Sequence, residues 1–275
     1  MTNFLHTFIP NAVLLDLGMI KIYYYGLIMA LAMSAAFFVA LKLGKLLKIK
    51  SDDIFDLSFF LIVGGLIGAR VYDVFLFLPY YINNPLASLK IWEGGLAIHG
   101  AIIAGLIITI IFAKLKNISF WKLSAIITPV LALGQAIGRF GNYFNQELFG
   151  KPSDLIFSIP IEIMYRPFGY EAFTHFHPTF LYESFGSLII FTILIIYLIR
   201  KVKLKGDFNN DIFPLSFYVL SYSLLRFTLE FIKIDNTPYL LGLRFPQIIS
   251  LVMIFLTLFF IIRNKCFSGK NLASK

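Results

Sequence analysis

Between Gly138 and Gly150 the chain reads Gly-Arg-Phe-Gly-Asn-Tyr-Phe-Asn-Gln-Glu-Leu-Phe-Gly. This sets the guanidinium of Arg139, the carboxamides of Asn142 and Asn145 and the carboxylate of Glu147 among glycines where an apolar run ends. Interfacial polar residues commonly end such runs, but not at this density. An arginine at a membrane edge costs free energy unless it is partnered, and its planar fork of donors suits a phosphate or carboxylate held by two hydrogen bonds. Glycines such as Gly150 let backbone come close to a head group, while Asn142, Asn145 and Glu147 take donors and hydroxyls that a phosphate leaves unanswered. The ligand suited to this set is a lipid phosphate.

Other polar groups interrupt the apolar runs. His99 lies in Trp92-Glu93-Gly94-Gly95-Leu96-Ala97-Ile98-His99-Gly100. A lone histidine on an apolar helix is ordinarily a satisfied buried residue, yet imidazole titrates unperturbed near neutral pH and so suits proton transfer. Arg70 follows Gly64-Gly65-Leu66-Ile67-Gly68-Ala69, whose small residues read as close helix packing. The arginine then either pairs with Asp73 or faces a lipid phosphate. Glu183 stands at the start of another apolar run and needs a partner, for which an arginine is the natural choice. Tyr222, Arg226, Glu230 and Lys233 follow at steps of four, four and three residues, so they share one helical face. The plain alternative there is an internal ladder in which Glu230 neutralises Arg226.

Membrane helices must position these groups. Hydrophobic residues make up 59% of the 275 positions and charged residues 14%, with a mean hydropathy of +0.81, which excludes a soluble domain. Candidate spans of about 20 residues run Tyr23–Leu41, Ile54–Phe77, Leu96–Ala113, Leu123–Gly138, Thr179–Ile199, Ile212–Phe231 and Phe245–Ile262. The expected architecture is therefore an all-α polytopic membrane protein of about seven transmembrane helices, forming one integral-membrane domain over residues 1–275. Basic residues cluster after the first span (Lys42, Lys45, Lys48, Lys50), between the third and fourth (Lys114, Lys116, Lys122), after the fifth (Arg200, Lys201, Lys203, Lys205) and at the end (Arg263, Lys265, Lys270, Lys275). The positive-inside rule then puts the N-terminus outside and the C-terminus in the cytoplasm. The net charge of +9 reports this orientation and contact with anionic lipid, with no nucleic-acid partner expected.

The first apolar run is too long for a signal-peptide core, so no cleavage is expected. Met1 to Ile22 is expected along the outer interface, and Tyr23, Tyr24 and Tyr25 mark an aromatic belt at the entry of the first helix. The connection from Phe140 to Pro178 is long and hydrophilic, and alternation over Leu155–Met164, interrupted by Pro160, predicts short strands in a small external cap between the fourth and fifth helices. The single cysteine, Cys266, lies in the basic tail, so neither a disulfide framework nor a thiolate metal cluster is available. His175 carries no evident role.

The pattern Gly-Arg-x-Gly-Asn-Tyr-x-Asn-x-Glu-x-x-Gly from Gly138 to Gly150 resembles the signature of the bacterial prolipoprotein diacylglyceryl transferases. Further landmarks follow in that family's order along nearly the whole chain. They are Tyr25-Gly26, the Trp-x-Gly-Gly-x-x-x-His-Gly motif ending at His99-Gly100, and His177-Pro178-Thr179-Phe180-Leu181-Tyr182-Glu183. Three positions depart from the pattern: Asp73 where tyrosine is frequent, Phe180 where glutamine is usual, and Lys233 in place of arginine. The resemblance implies transfer of the diacylglyceryl group of phosphatidylglycerol to the lipobox cysteine of prolipoprotein signal peptides, in the bacterial cytoplasmic (inner) membrane and without a cofactor. It keeps Tyr25 as a site residue and makes Arg226 a second catalytic arginine.

The expected topology brings Tyr25, His99, Arg139, Asn142, Glu147, Glu183 and Arg226 toward the outer side. The two arginines suit a lipid phosphate, and His99 or Tyr222 suits proton transfer; the sequence leaves that choice open. Tyr25, Arg70, Arg139, Asn142, Glu147, Gly150, Glu183 and Glu230 are the expected substrate-binding set. No His-Glu-x-x-His spacing, Walker loop or dinucleotide loop is present, so metal hydrolysis, ATP drive and redox chemistry are disfavoured and no metal site is expected. A secondary transporter or flippase would show inverted repeats and midplane polar groups, whereas these polar groups gather at one face. A membrane protease or acyltransferase would need its own nucleophile or metal pair, and neither is evident.

Overall fold

The computed structural model describes residues 4–18 and 20–273, with side chains through residue 264; Cys266, Lys265, Lys270 and Lys275 therefore lie outside the described side chains. After a short helix α1 (Phe4–Thr7), strands β1 (Val13–Asp16) and β2 (Lys21–Tyr23) form an antiparallel hairpin. The long helices follow: α2 (Tyr24–Leu46), α3 (Ser51–Leu76), the short α4 (Leu78–Asn83), α5 (Ile98–Leu115) and α6 (Phe120–Phe144). A cap segment with strands β3 (Ile159–Pro160) and β4 (His175–Phe176) leads to α7 (Thr179–Lys203) and α8 (Phe213–Leu229). A two-residue hairpin, β5 (Tyr239–Leu240) with β6 (Leu243–Arg244), precedes α9 (Phe245–Ala273).

Among the described residues six helices are long and apolar enough to cross a membrane: α2, α3, α5, α6, α7 and the Phe245–Asn264 part of α9. The expected span over Ile212–Phe231 is α8, which has only 17 residues. At 1.5 Å per residue it measures about 25 Å, short of the ~30 Å hydrocarbon thickness, and it carries Tyr222 and Arg226. Large apolar side chains such as Phe38, Phe75, Leu115, Phe185 and Phe255 point outward from their helices, the inverse of a soluble fold, as a lipid solvent requires. The chain is a multi-pass membrane protein.

The contacts of the chain define two compact units. One comprises Val39–Ile126 with Leu204–Asp211. Its centre is the pairing of α3 with α5, where Ala97 N–H donates to the Ala69 carbonyl at 3.1 Å and Gly68 meets Gly100 so closely that a Cβ on Gly68 would lie 2.7 Å from the Gly100 carbonyl oxygen. The small residues flanking Arg70 in the sequence therefore do pack helix on helix. At the other end of the pair Lys116 Nζ reaches Asp53 at 2.8 Å and Asp56 at 3.0 Å. Those two aspartates hold its ammonium pKa above the ordinary lysine value, and Asp53, in the first turn of α3, also complements the N-terminal dipole of that helix.

The other unit contains the chain up to Phe38, Ile127–Lys203 and the part from Ile212 onward. Its cap is built on a buried apolar cluster of Tyr143, Phe149, Ile159, Ile161, Phe176 and Phe180. Pro160 lies within a strand instead of interrupting one: it pairs with His175 across the β3–β4 ladder, on a two-residue strand where its missing N–H is tolerated. His175, without evident role in the sequence, stacks on His6 at 4.0 Å and hydrogen-bonds the His6 carbonyl at 3.1 Å. It thereby ties α1 to the cap. Gln146 is a second tie, donating to the Pro10 carbonyl at 2.8 Å and accepting from Glu162 N–H at 2.7 Å.

Candidate active site

The fourth span, expected to end at Gly138, continues as helix into the Gly138–Gly150 stretch. Helix α6 continues through Phe144, so Arg139, Gly141 and Asn142 occupy its last two turns, and the chain leaves the helix only at Asn145. One helical period separates Arg139 from Asn142, and Arg139 Nη1 donates to Asn142 Oδ1 at 3.1 Å. Asn142 turns its amide outward, donating from Nδ2 to Glu147 Oε1 at 2.8 Å, and Asn145 reaches the same oxygen at 3.4 Å. Glu147 thus joins Arg139 through Asn142.

The direct partner of Arg139 is Glu183, at 2.6 Å from Nη2 to Oε1. Glu183 lies in the first turns of α7 and is 1% exposed. Its Oε1 also accepts from Tyr222 at 2.8 Å, and its Oε2 receives Arg226 Nη1 at 3.2 Å and Lys233 Nζ at 3.3 Å. Tyr222 and Arg226 present the expected helical face to this carboxylate. Helix α8 ends at Leu229, however, so Lys233 reaches it from the turn beyond the helix, where it bridges Gly150, and not from a continued helical face. A buried carboxylate is tolerated because three cations and a hydroxyl surround it, so it is removal of Glu183 itself that would leave buried charge uncompensated.

Arg226 continues the chain of charges to Glu230 Oε1 at 2.6 Å, and Glu230 Oε2 is held by Arg244 Nε at 2.8 Å. The ladder between Arg226 and Glu230 is real, but it forms one arm of a larger network. Arg244 was not legible as a site residue: it lies just ahead of an apolar span, where a basic residue reads as interfacial. It is 5% exposed, and its remaining donors clamp the turn after α8 at the Lys233 carbonyl (2.6 Å), the Asp235 carbonyl (2.9 Å) and Thr237 Oγ1 (3.0 Å). The network sets Arg139, Arg226, Lys233 and Arg244 against Glu183, Glu230 and Asp235, an excess of one positive charge. Glu183 is sealed, whereas the Arg139 and Arg226 side chains stay 22% and 21% exposed. The exposed carboxylate of this neighbourhood is Glu147, joined to Arg139 through Asn142.

The other expected residues fall into two groups. Tyr25 is half-exposed and its ring covers Gly141, where a Cβ would lie 2.7 Å from Tyr25 Cδ2. Gly150 is crowded: its N–H donates to the His177 carbonyl at 3.0 Å, and a Cβ there would meet His177 Cβ at 2.8 Å and the Ile232 carbonyl at 3.0 Å. Gly150 thus lets the cap strand pass the end of α8, forming a bridge with Lys233. Burial pushes the His177 imidazole below its ordinary pKa. It likewise pushes the Lys233 ammonium down, with Glu183 opposing.

Arg70 and His99 belong to the other unit. Arg70 is buried, and its donors are engaged by carbonyls of the segment after α4: Ser88, Ala87, Lys90, Gly94 and Gly95. Asp73 stands 3.8 Å away and accepts from Tyr81 at 2.7 Å. The arginine expected to choose between a lipid phosphate and Asp73 is thus filled chiefly by backbone oxygens. His99, in the first turn of α5, is exposed, with its ring 5.8 Å from that of Tyr72. Among the described residues no group of His, Cys, Asp and Glu is arranged to hold a metal ion.

The sequence model of prolipoprotein diacylglyceryl transferases matches residues 12–263. The chain is 41% identical over 251 residues to the phosphatidylglycerol–prolipoprotein diacylglyceryl transferase of Trichormus variabilis, covering 90% of this chain and 88% of the relative. It is 38% identical over 253 residues to the enzyme of the same name from Thermotoga maritima, covering 90% and 83%, and 36% identical over 248 residues to that of a Synechocystis species, covering 90% and 87%. The chain belongs to the prolipoprotein diacylglyceryl transferase family.

Within this transferase family pattern the three departures take definite places. Phe180 is buried and stacks on Tyr143 at 4.7 Å, so an apolar ring joins the cap cluster where an amide is usual. Asp73 pairs with Tyr81. Lys233 delivers a point charge to Glu183 where an arginine fork would deliver two donors.

Proposed function

We infer that the chain carries out the reaction of its family, moving the diacylglyceryl group of phosphatidylglycerol onto the cysteine thiol of a prolipoprotein, the first step of lipoprotein lipidation. The observation that carries this reading, beyond family membership, is the buried Glu183 ringed by Arg139, Arg226, Lys233 and Tyr222.

The sulfur forms a bond to the terminal glycerol carbon of the lipid, the bond from that carbon to the phosphate oxygen breaks, and its electron pair leaves with glycerol phosphate. A cysteine thiol with pKa ~8.5 is mostly protonated at neutral pH, so a base must take its proton. The phosphate passes from one negative charge in the diester to two in the departing monoester. Cations fixed in advance where that charge grows lower the barrier, and the open guanidinium edges of Arg139 and Arg226 suit this role. Glu183 holds them in place, Asn142 and Glu147 orient the glycerol head, and Tyr25 and Gly150 shape the approach. Tyr222 already donates its proton to Glu183, so its loss would put a phenolate beside a carboxylate. That favours His99 as the base.

The chain acts as one membrane domain with its seventh crossing in α8, its site toward the outer face of the bacterial inner membrane, and the cap admitting the lipobox segment. The deciding experiment incubates purified protein with phosphatidylglycerol and a lipobox peptide and weighs the peptide. A mass gain equal to a diacylglyceryl group is expected, and no gain refutes the activity. For orientation, a cysteine placed at Ser153 should react with a membrane-impermeant thiol reagent in intact cells while Cys266 does not. The opposite labelling would reverse the topology.

A further inference from the structure

The turn that Arg244 clamps separates two cavities of different character. On one side, a cavity of about 450 Å³ lies against Glu147 and is otherwise mainly apolar, walled by residues such as Phe149, Tyr165 and Pro167. On the other, a cavity of about 460 Å³ is walled by Lys151, Lys233, Arg244, Asp235, Asn236 and Thr237, together with aromatic and apolar neighbours. Arg244 holds the side chain of Asp235 at 3.0 Å, so the one acid of the second wall is neutralised from within it. Arg244 itself is saturated by Glu230, two carbonyls and Thr237. The remaining charges are both lysines.

Lys233 is buried and reaches Glu183 with its ammonium, so one side chain both walls this cavity and touches the cluster that holds Arg139 and Arg226. Lys151 is different: its backbone is fixed by hydrogen bonds to the Ile232 carbonyl at 2.8 Å and from His177 N–H at 3.0 Å, while its side chain is exposed. No carboxylate lies within ion-pairing range of it among the described residues. A lysine held by its backbone at a cavity edge, with its charge unspoken for, suits an anion. Ligand cavities run upward from about 300 Å³, so this one accommodates a small head group but not a pair of acyl chains. Asn236 supplies an amide that hydrogen-bonds hydroxyls, whereas the Thr237 hydroxyl is committed to Asp235 and Arg244.

We propose that this cavity is an anion subsite that receives the glycerol phosphate monoester as it leaves the Arg139–Arg226 cluster, with Lys151 at its edge and Lys233 as the wall shared with that cluster. The proposal rests on the functional reading above. A phosphate ester is the shared chemistry of two sources, the free monoester and the head group of the incoming lipid, and the kinetics separate them.

The test measures inhibition of peptide lipidation by added glycerol phosphate in the wild type, Lys151→Ala, Lys151→Glu and Lys151→Arg, alongside KM for phosphatidylglycerol. The inhibition constant should rise about fivefold in Lys151→Ala, the upper range for one exposed ion pair, rise further in Lys151→Glu and return in Lys151→Arg, while KM for the lipid stays put. Equal inhibition constants in the wild type and Lys151→Glu would overturn the subsite. A matching rise in KM would assign the cavity to the incoming lipid and overturn the product assignment. Titration calorimetry of glycerol phosphate into the wild type and Lys151→Glu reads the subsite without turnover, so a failed wild-type reaction counts against the function alone, and equal heats in the two proteins count against the subsite.

Discussion

Arg139 Nη2 lies 2.6 Å from Glu183 Oε1, and that contact joins the last turns of α6 to the first turns of α7. Because Glu183 also holds Arg226 and Lys233, its removal strands three cations at once. Glu183→Ala should destabilise the protein by about 3–5 kcal/mol, the range for breaking a buried ion pair, and Glu183→Gln by less, since the amide keeps the shape and an acceptor. Thermal unfolding in detergent measures both, and an alanine variant as stable as the wild type would remove Glu183 from the centre of the network.

Arg139→Lys separates charge from geometry. Lysine cannot serve Asn142, Glu183 and a phosphate together, so lipidation should fall at least ~10²-fold, in line with losing one preorganised donor at a developing anion. Arg139→Ala should be no better, and Arg139→Ala/Glu183→Gln should remain inactive. Recovered activity in that double variant would make Arg139 a purely structural charge.

How much of this was legible beforehand depended on the range of each interaction. The glycine- and amide-rich motif, the polar face of Tyr222 and Arg226, and the need of Glu183 for an arginine all follow from spacing and from the cost of charge in lipid, whereas Lys233 joins them from a turn beyond α8 that helical spacing does not predict. The span expected to end at Gly138 runs on to Phe144 because hydrophobicity marks only the apolar part of a helix, and the polar last turns of α6 pack on another element, Gly141 against the ring of Tyr25. Arg244 and Gln146 escaped notice because their partners, Glu230 and Pro10, lie on other elements. Local pattern carries no record of such pairings. The carbonyl cage of Arg70 escaped for the same reason, since backbone oxygens have no sequence signature.

His99→Gln should lower the rate of thioether formation by about 10²–10⁴, the usual worth of a general base, while leaving phosphatidylglycerol binding intact. Stopped-time lipidation assays paired with a lipid-binding measurement check both halves. Unchanged turnover would pass the role of base to Tyr222.

Gly150→Ala is a steric experiment. Its added methyl would meet His177 Cβ and the Ile232 carbonyl, so the cap strand must shift away from the end of α8. Overpacking of this kind costs about 1–3 kcal/mol. Lower thermal stability together with weaker lipidation is expected, and a variant with wild-type values in both would show that the strand has room to spare.

The cage around Arg70 bears on biogenesis. A guanidinium in the α3–α5 pair can leave water only when its donors are answered, and the oxygens that answer them come from residues 87, 88, 90, 94 and 95, made after Arg70 itself. Helix α3 inserting alone would therefore carry an unanswered guanidinium, at a cost of roughly 2.5–3.5 kcal/mol at the bilayer centre and less toward a helix end. The next stretch of chain removes that cost by curling around the arginine, which couples α3, the connecting turns and α5 during insertion.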